Sequence, residues 1–318
     1  MIEAWAFVGL GLIILLLAGD LLVKGAVNLA LRLGIPALIV SLTIVAFGTS
    51  APELLIAIDA VLSRQSGLAV GNVVGSNIAN VLLVLGVPAL ISTLDTTECD
   101  TRFSYVYMLL GSVLFIGLAY AEPLVWWHGL VLLAALIFVL GTQFMDARAH
   151  RNACNGPATE DEDVEGADPE LPGWRIALFL GLGTIGLPLG ADLLVDGASE
   201  IARSFGMSDA AIGLTLVAIG TSLPELATTV VAAYRRQADV AIGNVIGSNM
   251  FNLLAIMGIT ALVAPIDVSR EFFHIDFWIM LMASLMLAPF VFFRWKMTRV
   301  WGAAFAILYI IYIFVVID

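Results

Sequence analysis

Charged residues are scarce in this 318-residue chain. They make up 13% of it, whereas about a quarter of a soluble domain is charged. Hydrophobic residues make up 61%, and uncharged runs cover residues 4–19, 103–121 and 123–145. A run near 20 apolar residues crosses a hydrocarbon core roughly 30 Å thick. The scarcity of charge therefore excludes a soluble protein and predicts an all-α integral membrane protein.

Cysteine is also rare. Cys99 and Cys154 stand alone without metal-ligand spacing, so we expect free thiols rather than a disulfide framework or a zinc site. No Lys or Arg precedes the first apolar run and no small-residue cleavage site follows it, so we expect a retained helix rather than a signal peptide. A GK[ST] phosphate loop and a nucleophile–base pair are missing as well. We therefore expect no enzyme activity, no cofactor and no nucleic-acid partner.

The charge that is present is concentrated in one stretch. Eight acidic residues and three prolines fall within 146–172, a composition that cannot bury an apolar face. Calcium sensing by this run is the alternative, but the alternating ligand pattern of an EF-hand loop is missing. The stretch is predicted to be a flexible, solvated linker.

Three sequence blocks occur twice. They are GDLLVKGA (19–26) and ADLLVDGA (191–198), AFGTSAPEL (46–54) and AIGTSLPEL (218–226), and GNVVGSNIANVLLVLG (71–86) and GNVIGSNMFNLLAIMG (243–258). All three pairs are separated by 172 residues. Apolar composition alone would not preserve the order of Gly, Asn, Ser, Pro and Glu, so the chain contains an internal repeat.

The repeat predicts two halves, 1–145 and 174–318, joined by an acidic linker at 146–173. Each half is expected to contribute five membrane-spanning helices, ten in all. We place them near 4–30, 36–62, 67–93, 103–121, 124–145, 174–203, 208–234, 238–264, 272–293 and 299–317. An odd number of crossings per half means that the second half enters from the opposite side. The repeat is therefore predicted to have inverted topology, as in many secondary transporters.

Basic residues predict the orientation. In loops and at helix ends, ten Lys and Arg lie on the side of the linker and three lie on the other side. The positive-inside rule then makes the linker cytoplasmic and both termini extracytoplasmic in a multi-pass plasma (inner) membrane protein. The lipid bilayer is its expected surrounding, and the sequence does not reveal an oligomeric state.

Two glutamates lie inside otherwise apolar segments. Glu53 and Glu225 occupy matching positions of the repeat, at a depth where insertion of a charge costs about 2.5 kcal/mol or more. One alternative is protonation, and another is a basic partner. No Lys or Arg stands near either glutamate in its own segment, which leaves Lys24 as the candidate partner. The recurrence favours a pair of ion ligands.

Both glutamates follow Gly-Thr-Ser-x-Pro. Proline removes a backbone donor, and Gly48 and Gly220 loosen the same turn, so nearby carbonyl groups are expected to be free to face a cation. The carbonyl groups are those of Ala46, Thr49, Ala218 and Thr221, and the hydroxyl groups are those of Thr49, Ser50, Thr221 and Ser222. The alternative is an ordinary proline kink healed by Ser and Thr.

The third block supplies Ser and Asn side chains. Ser76 and Asn80, like Ser248 and Asn252, are four residues apart and share a helix face. Asn77 and Asn249 lie about 100° around that helix. Tight helix packing through small residues and Asn is the plainer explanation, and it is compatible with cation binding.

All of these groups bind through oxygen, without sulfur or His. Such sites select hard ions such as Ca²⁺, Na⁺ or Mg²⁺. Ca²⁺ accepts about 6–8 oxygens, and two carboxylates match its charge. Calcium and sodium competing for shared ligands would produce exchange without ATP.

The paired motifs GTSAPEL/GTSLPEL and GNVVGSNIAN/GNVIGSNMFN resemble the repeats of the cation/calcium antiporter superfamily, most closely those of prokaryotic sodium/calcium exchangers. The resemblance implies ten helices, alternating access and exchange of about three sodium ions per calcium. It implies calcium bound by Glu53, Glu225 and the backbone oxygens of Thr49 and Thr221. It implies sodium bound by both glutamates with Ala46, Ser50, Ser76, Ala218, Ser222 and Ser248, and a central site flanked by Asn80 and Asn252.

Potassium-dependent relatives carry Asp at the position of Asn252, so the resemblance makes potassium coupling less favoured. Proton-coupled relatives carry a different motif around the acid. A proton/calcium antiporter and a passive cation channel stay open as alternatives. Asp20 and Asp192, which match across the repeat, are expected to fix helices or to line an entry path. Asp59 and Asp196 have no repeat partner and are expected in the aqueous funnel or at the interface.

Overall fold

Two helices of 32 residues, α1 (Ile2–Leu33) and α9 (Gly173–Ser204), pack along each other. Glycine permits the close approach: a methyl group added at Gly11 would lie 2.6 Å from the backbone nitrogen of Leu194. The coordinates are a computed structural model that describes residues 2–35, 37–96, 101–121, 123–153, 168, 170–205 and 218–317.

The second segment is broken where the GTSAPEL motif lies. Helix α2 (Ala37–Val40), a π-helical turn (Ser41–Val45) and α3 (Ala46–Thr49) lead to Ser50, after which α4 covers Ala51–Leu62. The two parts of the segment are bent by 44°. The proline of the motif stands in the first turn of α4, where its missing N–H leaves no bond unmade.

The third and eighth segments form the centre of the molecule. Helix α5 (Ser66–Ala79) continues through a π-helical turn (Asn80–Val84) into α6 (Gly86–Ile91). In the second half, α12 (Ala238–Met250), a π-helical turn (Phe251–Ile256) and α13 (Met257–Val263) repeat this pattern. In both halves the π turn begins at or next to the last Asn of the motif, and π turns are frequent at functional sites.

The remaining helices complete the fold around this centre. They are α7 (Arg102–Ala119), α8 (Trp126–Ala153), α10 (Ala218–Gly220), α11 (Leu223–Tyr234), α14 (Glu271–His274), α15 (Asp276–Leu285), α16 (Ala288–Phe292) and α17 (Arg299–Ile317).

Among the described residues, six helices are long and apolar enough to cross a membrane, or seven if the bent pair counts as one span. Shorter apolar helices cover 276–292 and 299–314. The all-α membrane class is confirmed, and ten crossings in two inverted repeats stays a prediction. Part of the predicted seventh segment, the centre of the acidic linker, Cys99 and Cys154 lie outside the described residues. Helix α8 continues to Ala153, eight residues into the range assigned to the linker.

Local geometry follows the repeat. The turns after α4 and α11 contain Arg64 and Arg236, which are 172 residues apart and have φ of 59° and 55°. Each is followed by a Gln whose N–H donates five residues back, from Gln65 to Ala60 O at 2.7 Å and from Gln237 to Ala232 O at 2.8 Å. The two halves therefore end their glutamate-bearing helices with the same left-handed cap.

Two short bridges connect the halves. Leu94 pairs with Met297 and Leu124 with Ile266, each through antiparallel backbone hydrogen bonds of 2.9–3.0 Å. Each bridge joins a loop of one half to a loop of the other, so these loops bind the halves together rather than closing each half on itself.

Candidate cation-binding site

The two motif glutamates stand in the first turns of their helices. Glu53 on α4 is 1% exposed and Glu225 on α11 is fully buried. A carboxylate in a first helical turn is stabilised by the helix dipole and by unpaired N–H groups. The proline beside each glutamate fixes where the helix begins, so the sequence motif sets both the position and the local field of the acid.

Side chains of the first motif reach the second half. Ser50 Oγ donates to Glu225 Oε1 at 3.2 Å. Thr49 Oγ1 lies 3.4 Å from Ser248 Oγ and donates to Asn244 Oδ1 at 3.4 Å. The hydroxyl groups predicted as ligands therefore gather around a glutamate of the opposite half.

The asparagines of the central helices also bond between halves. Asn80 Nδ2 donates to Asn249 Oδ1 at 3.1 Å, and Asn252 Nδ2 donates to Asn77 Oδ1 at 3.5 Å. The two bonds are related by the 172-residue repeat. In each bond the donor is a predicted ligand, and the acceptor is an asparagine that was not predicted as a ligand.

Several buried oxygens of this region have no hydrogen-bond partner. They are Glu53 Oε2, Glu225 Oε2, Asn80 Oδ1, Asn252 Oδ1 and Ser222 Oγ. Unpaired buried acceptors are costly, and a hard cation satisfies carboxylate, amide and hydroxyl oxygens together. All five atoms belong to the predicted ligand set, so they define a candidate cation-binding cage, and their role as ligands stays a prediction.

No basic side chain neutralises the two glutamates in the part of the chain that the structure describes. Lys24, the candidate partner, instead pairs with Asp20 at 2.9 Å. The same described residues contain no group of three or more His, Cys, Asp and Glu that could hold a metal ion. The candidate cage therefore offers the two carboxylates of Glu53 and Glu225, and the other predicted ligands are neutral oxygens.

The family model for "Sodium/calcium exchanger protein" matches residues 3–145 and 175–317, which cover both halves and leave out the linker. The chain belongs to the sodium/calcium exchanger family. Its members are antiporters, so this chain is a multi-pass membrane transporter for cations including calcium, and not an enzyme.

Individual relatives agree over nearly the whole chain. The inner membrane protein YrbG of Escherichia coli is 35% identical over 91% of this chain and 88% of its own. The sodium/calcium exchanger MaX1 of Methanosarcina acetivorans is 33% identical over 96% of both. A solved structure of the sodium–calcium exchanger NCX_Mj is 30% identical, with a TM-score of 0.79 over 98% of this chain and 97% of that one.

The structure of the present chain places the remaining predicted ligands as follows. Ser76 and Ser248 are buried on α5 and α12, and Ser222 precedes α11. Thr221 is half-buried, and Ala218 begins α10.

One expected feature differs from the sequence prediction. The Ala46 carbonyl is not free in this conformation, because it accepts the Ser50 N–H at 3.0 Å and the Thr49 hydroxyl at 3.3 Å. Proline at position 52 cannot free this oxygen, since its i−4 partner is position 48 and not position 46.

A cavity of about 130 Å³ opens beside the exchanger's two motifs. It is lined by Pro52 and Ile56 of α4, by Asp192 of α9, and by Thr221 and Pro224 of the second motif, among others. Asp192 therefore lines a cavity beside both motifs, and its role in fixing a helix or lining a path stays a prediction. Asp59 and Asp196 are exposed.

The asparagines Asn77, Asn244 and Asn249 were not predicted as site residues. Asn244 Nδ2 donates to Thr229 Oγ1 at 3.2 Å and to the Glu225 carbonyl at 3.4 Å. The available signal was the recurrence of Asn77 and Asn249 within the repeat, which marks a shared role without saying which atoms they contact.

Proposed function

We propose that this antiporter exchanges sodium for calcium by alternating access, with about three sodium ions per calcium. The observation that carries the proposal is the set of buried, unpaired oxygens on Glu53, Glu225, Asn80 and Asn252. Ca²⁺ and Na⁺ are both hard ions that bind through oxygen, so the two ions can compete for the ligands of an all-oxygen site.

For calcium, Glu53 and Glu225 provide two negative charges, and the backbone oxygens of Thr49 and Thr221 add neutral ligands. Calcium tolerates irregular geometry with about 6–8 oxygens, which suits a cage assembled from four helices. The charge of the ion balances that of the two carboxylates, so calcium is bound without leaving net charge in the membrane.

For sodium, we propose that the same glutamates act together with the Ser hydroxyl groups and two carbonyl groups. These additional ligands belong to Ala46, Ser50, Ser76, Ala218, Ser222 and Ser248. Asn80 and Asn252 flank a central site, and we propose that their unpaired oxygens face calcium as well as sodium. Sodium at the Ala46 carbonyl would displace the Thr49 hydroxyl, which bonds this oxygen together with the Ser50 N–H in the described conformation.

We further propose two inverted five-helix halves, 1–145 and 174–318, with the 146–173 linker in the cytoplasm and both termini outside the inner membrane. The excess of basic residues on the linker side supports this orientation. A Cys-accessibility scan with impermeant reagents on intact cells tests it, and labelling of either terminus only from the cytoplasm would overturn it.

The decisive experiment uses purified protein in liposomes loaded with sodium, with calcium outside. Calcium uptake should follow the outward sodium gradient and stop when the internal sodium is replaced by choline. Uptake driven by a pH gradient in sodium-free medium would establish proton coupling instead. Calcium flux with no counter-ion at all would establish a channel.

Stoichiometry is tested in the same liposomes. Exchange of three Na⁺ for one Ca²⁺ moves one net positive charge, so a potassium-diffusion potential should accelerate or slow uptake according to its sign. Uptake that is insensitive to the potential would indicate electroneutral exchange and reject the ratio.

A further inference from the structure

Asn77 and Asn249 are two buried asparagines that stand next to the predicted ligands without belonging to them. Both are 1% exposed, and they occupy matching positions of the repeat. Polar side chains this deep need a function that offsets their burial, and tight packing alone is served better by small or apolar residues.

Their hydrogen bonds cross the boundary between the halves. Asn249 Oδ1 accepts from Asn80 Nδ2 at 3.1 Å, and Asn77 Oδ1 accepts from Asn252 Nδ2 at 3.5 Å. The two are also linked to each other, since Asn249 Nδ2 donates to the Asn77 carbonyl at 3.3 Å. Asn77 Nδ2 is anchored on α15 by a 3.7 Å contact with Met280 Sδ.

These bonds decide which end of each ligand amide faces the cage. An Asn side chain has an NH₂ donor on one side and an acceptor oxygen on the other. With Nδ2 bonded to the neighbouring asparagine, Asn80 and Asn252 keep Oδ1 as the buried, unpaired atom. A rotated amide would direct N–H groups at a cation and repel it.

We propose that Asn77 and Asn249 are positioning residues that orient the amides of Asn80 and Asn252, each acting on the ligand of the opposite half. A change at Asn249 is then felt at Asn80, although the two stand 169 positions apart. The inference rests on the proposed binding role of Asn80 and Asn252, and it extends that role to two residues that need not touch the ion.

The test is calcium binding to the purified full-length protein in detergent, measured by titration calorimetry without any transport. Asn249→Leu keeps the size of the side chain but removes the acceptor. We expect calcium affinity to fall about tenfold, the lower end of the range for partners that orient a ligand. Asn249→Asp keeps the acceptor oxygen for Asn80 but loses the donor to the Asn77 carbonyl, so it should bind calcium more tightly than Asn249→Leu does.

A matched control separates positioning from general damage. Asn28→Leu removes another buried asparagine, on α1, which donates to the Lys24 carbonyl at 2.9 Å away from the cage. It should leave calcium affinity within about twofold of wild type, whatever its effect on stability. Equal loss of affinity in Asn28→Leu and Asn249→Leu would overturn the inference.

A double-mutant cycle gives the sharpest readout. If Asn249 acts through Asn80, then Asn80→Ala combined with Asn249→Leu should bind calcium no more weakly than Asn80→Ala alone. Additive losses would reject the positioning role. Should Asn249→Leu fail to fold, Asn77→Leu with Asn252→Ala forms the corresponding cycle, with a smaller expected effect because that bond is longer.

This design keeps the inference separate from the proposed exchange. Wild-type protein that binds calcium but shows no sodium-driven uptake would remove the sodium coupling and leave the positioning role standing. Wild-type calcium affinity in both Asn→Leu variants would remove the positioning role and leave the exchange standing.

Discussion

Asp20 on α1 is bound by Arg235, the residue that directly follows α11. The guanidinium donates Nε–H to Asp20 Oδ1 at 2.7 Å and makes a second contact to the same oxygen through Nη2. Lys24, one turn along α1, bonds the other carboxylate oxygen at 2.9 Å. One residue earlier, Gly19 packs on the backbone of Ala227, so α1 is fixed to the helix that carries Glu225.

Replacing Arg235 should therefore loosen this contact. Arg235→Gln removes a part-buried ion pair while Lys24 still neutralises Asp20, so we expect a loss of about 1 kcal/mol. The melting temperature in detergent should fall by about 2 °C. Arg236→Gln removes the same charge from an exposed neighbouring position and should not change the melting temperature. Equal melting temperatures for the two variants would contradict the importance of this pair.

Neutralising either buried glutamate should abolish exchange. Glu53→Gln or Glu225→Gln keeps the shape of the side chain but removes half of the charge available to calcium. We expect sodium-driven calcium uptake below about one hundredth of wild type, because losing a direct ligand exceeds the cost of losing an orienting partner. Glu271→Gln, an exposed acid at the start of α14, serves as the control. Full uptake by both folded glutamate variants would reject the central site.

The hydroxyl groups should separate the two ions. Ser50 donates to Glu225 and is proposed as a sodium ligand but not as a calcium ligand. Ser50→Ala should raise the sodium concentration for half-maximal exchange about tenfold, a change equivalent to about 1.4 kcal/mol, with less effect on calcium. Ser112→Ala removes a buried hydroxyl that bonds only within α7, to the Met108 carbonyl, and should change neither. A calcium effect as large as the sodium effect would show a shared ligand.

Close packing beside the second motif can be tested by a rescue. A methyl group at Gly220 would lie 2.5 Å from Val195 Cγ2 on α9. Gly220→Ala should cost about 1–3 kcal/mol through overpacking and slow exchange. Shortening the opposing side chain with Val195→Ala in the same protein should restore part of both.

The matched control for this rescue is Gly181→Ala, on α9, which is the helix that carries Val195. A methyl group there meets nothing within 4 Å, and alanine is the better helix former, so exchange should be unchanged and stability should not fall. If Val195→Ala brings no recovery, the defect of Gly220→Ala does not arise from that contact.

Much of the fold and the positions of the two motif glutamates could be predicted from the sequence repeats. The recurrence of Glu53 at Glu225 and the proline next to each glutamate predicted two acids inside apolar segments at proline-broken turns, and the structure places both in the first turn after such a break. Apolar run length predicted the ends of α1, α7 and α9 within three residues, whereas α8 continues eight residues past its predicted end. The broken second segment followed from the Gly-Thr-Ser-x-Pro sequence.

Contacts between the halves could not be predicted in this way. Periodicity assigns a residue to a face of its own helix but does not say which side chain of another helix meets that face. The bonds from Asn80 to Asn249 and from Ser50 to Glu225 join residues 169 and 175 positions apart. Arg235 lies in a loop by sequence, and only the packing of α1 on α11 brings its long side chain to Asp20.

The ion pair between Asp20 on α1 and Arg235 has no equivalent at the matching positions of the repeat. At the repeat offset, Lys24 corresponds to Asp196 and Arg235 to Ser63, while Asp20 is retained as Asp192. Where α1 meets α11 the helices touch, but between α9 and α4 lies the cavity that Asp192 lines. If the halves exchanged these arrangements, Asp192 would take the place of Asp20. It would then have Asp196 beside it where Asp20 has Lys24, and Ser63 where Asp20 has Arg235. On the proposed alternating-access cycle, the two extremes would therefore differ in energy, and the ion-free protein would favour one side of the membrane before any gradient acts.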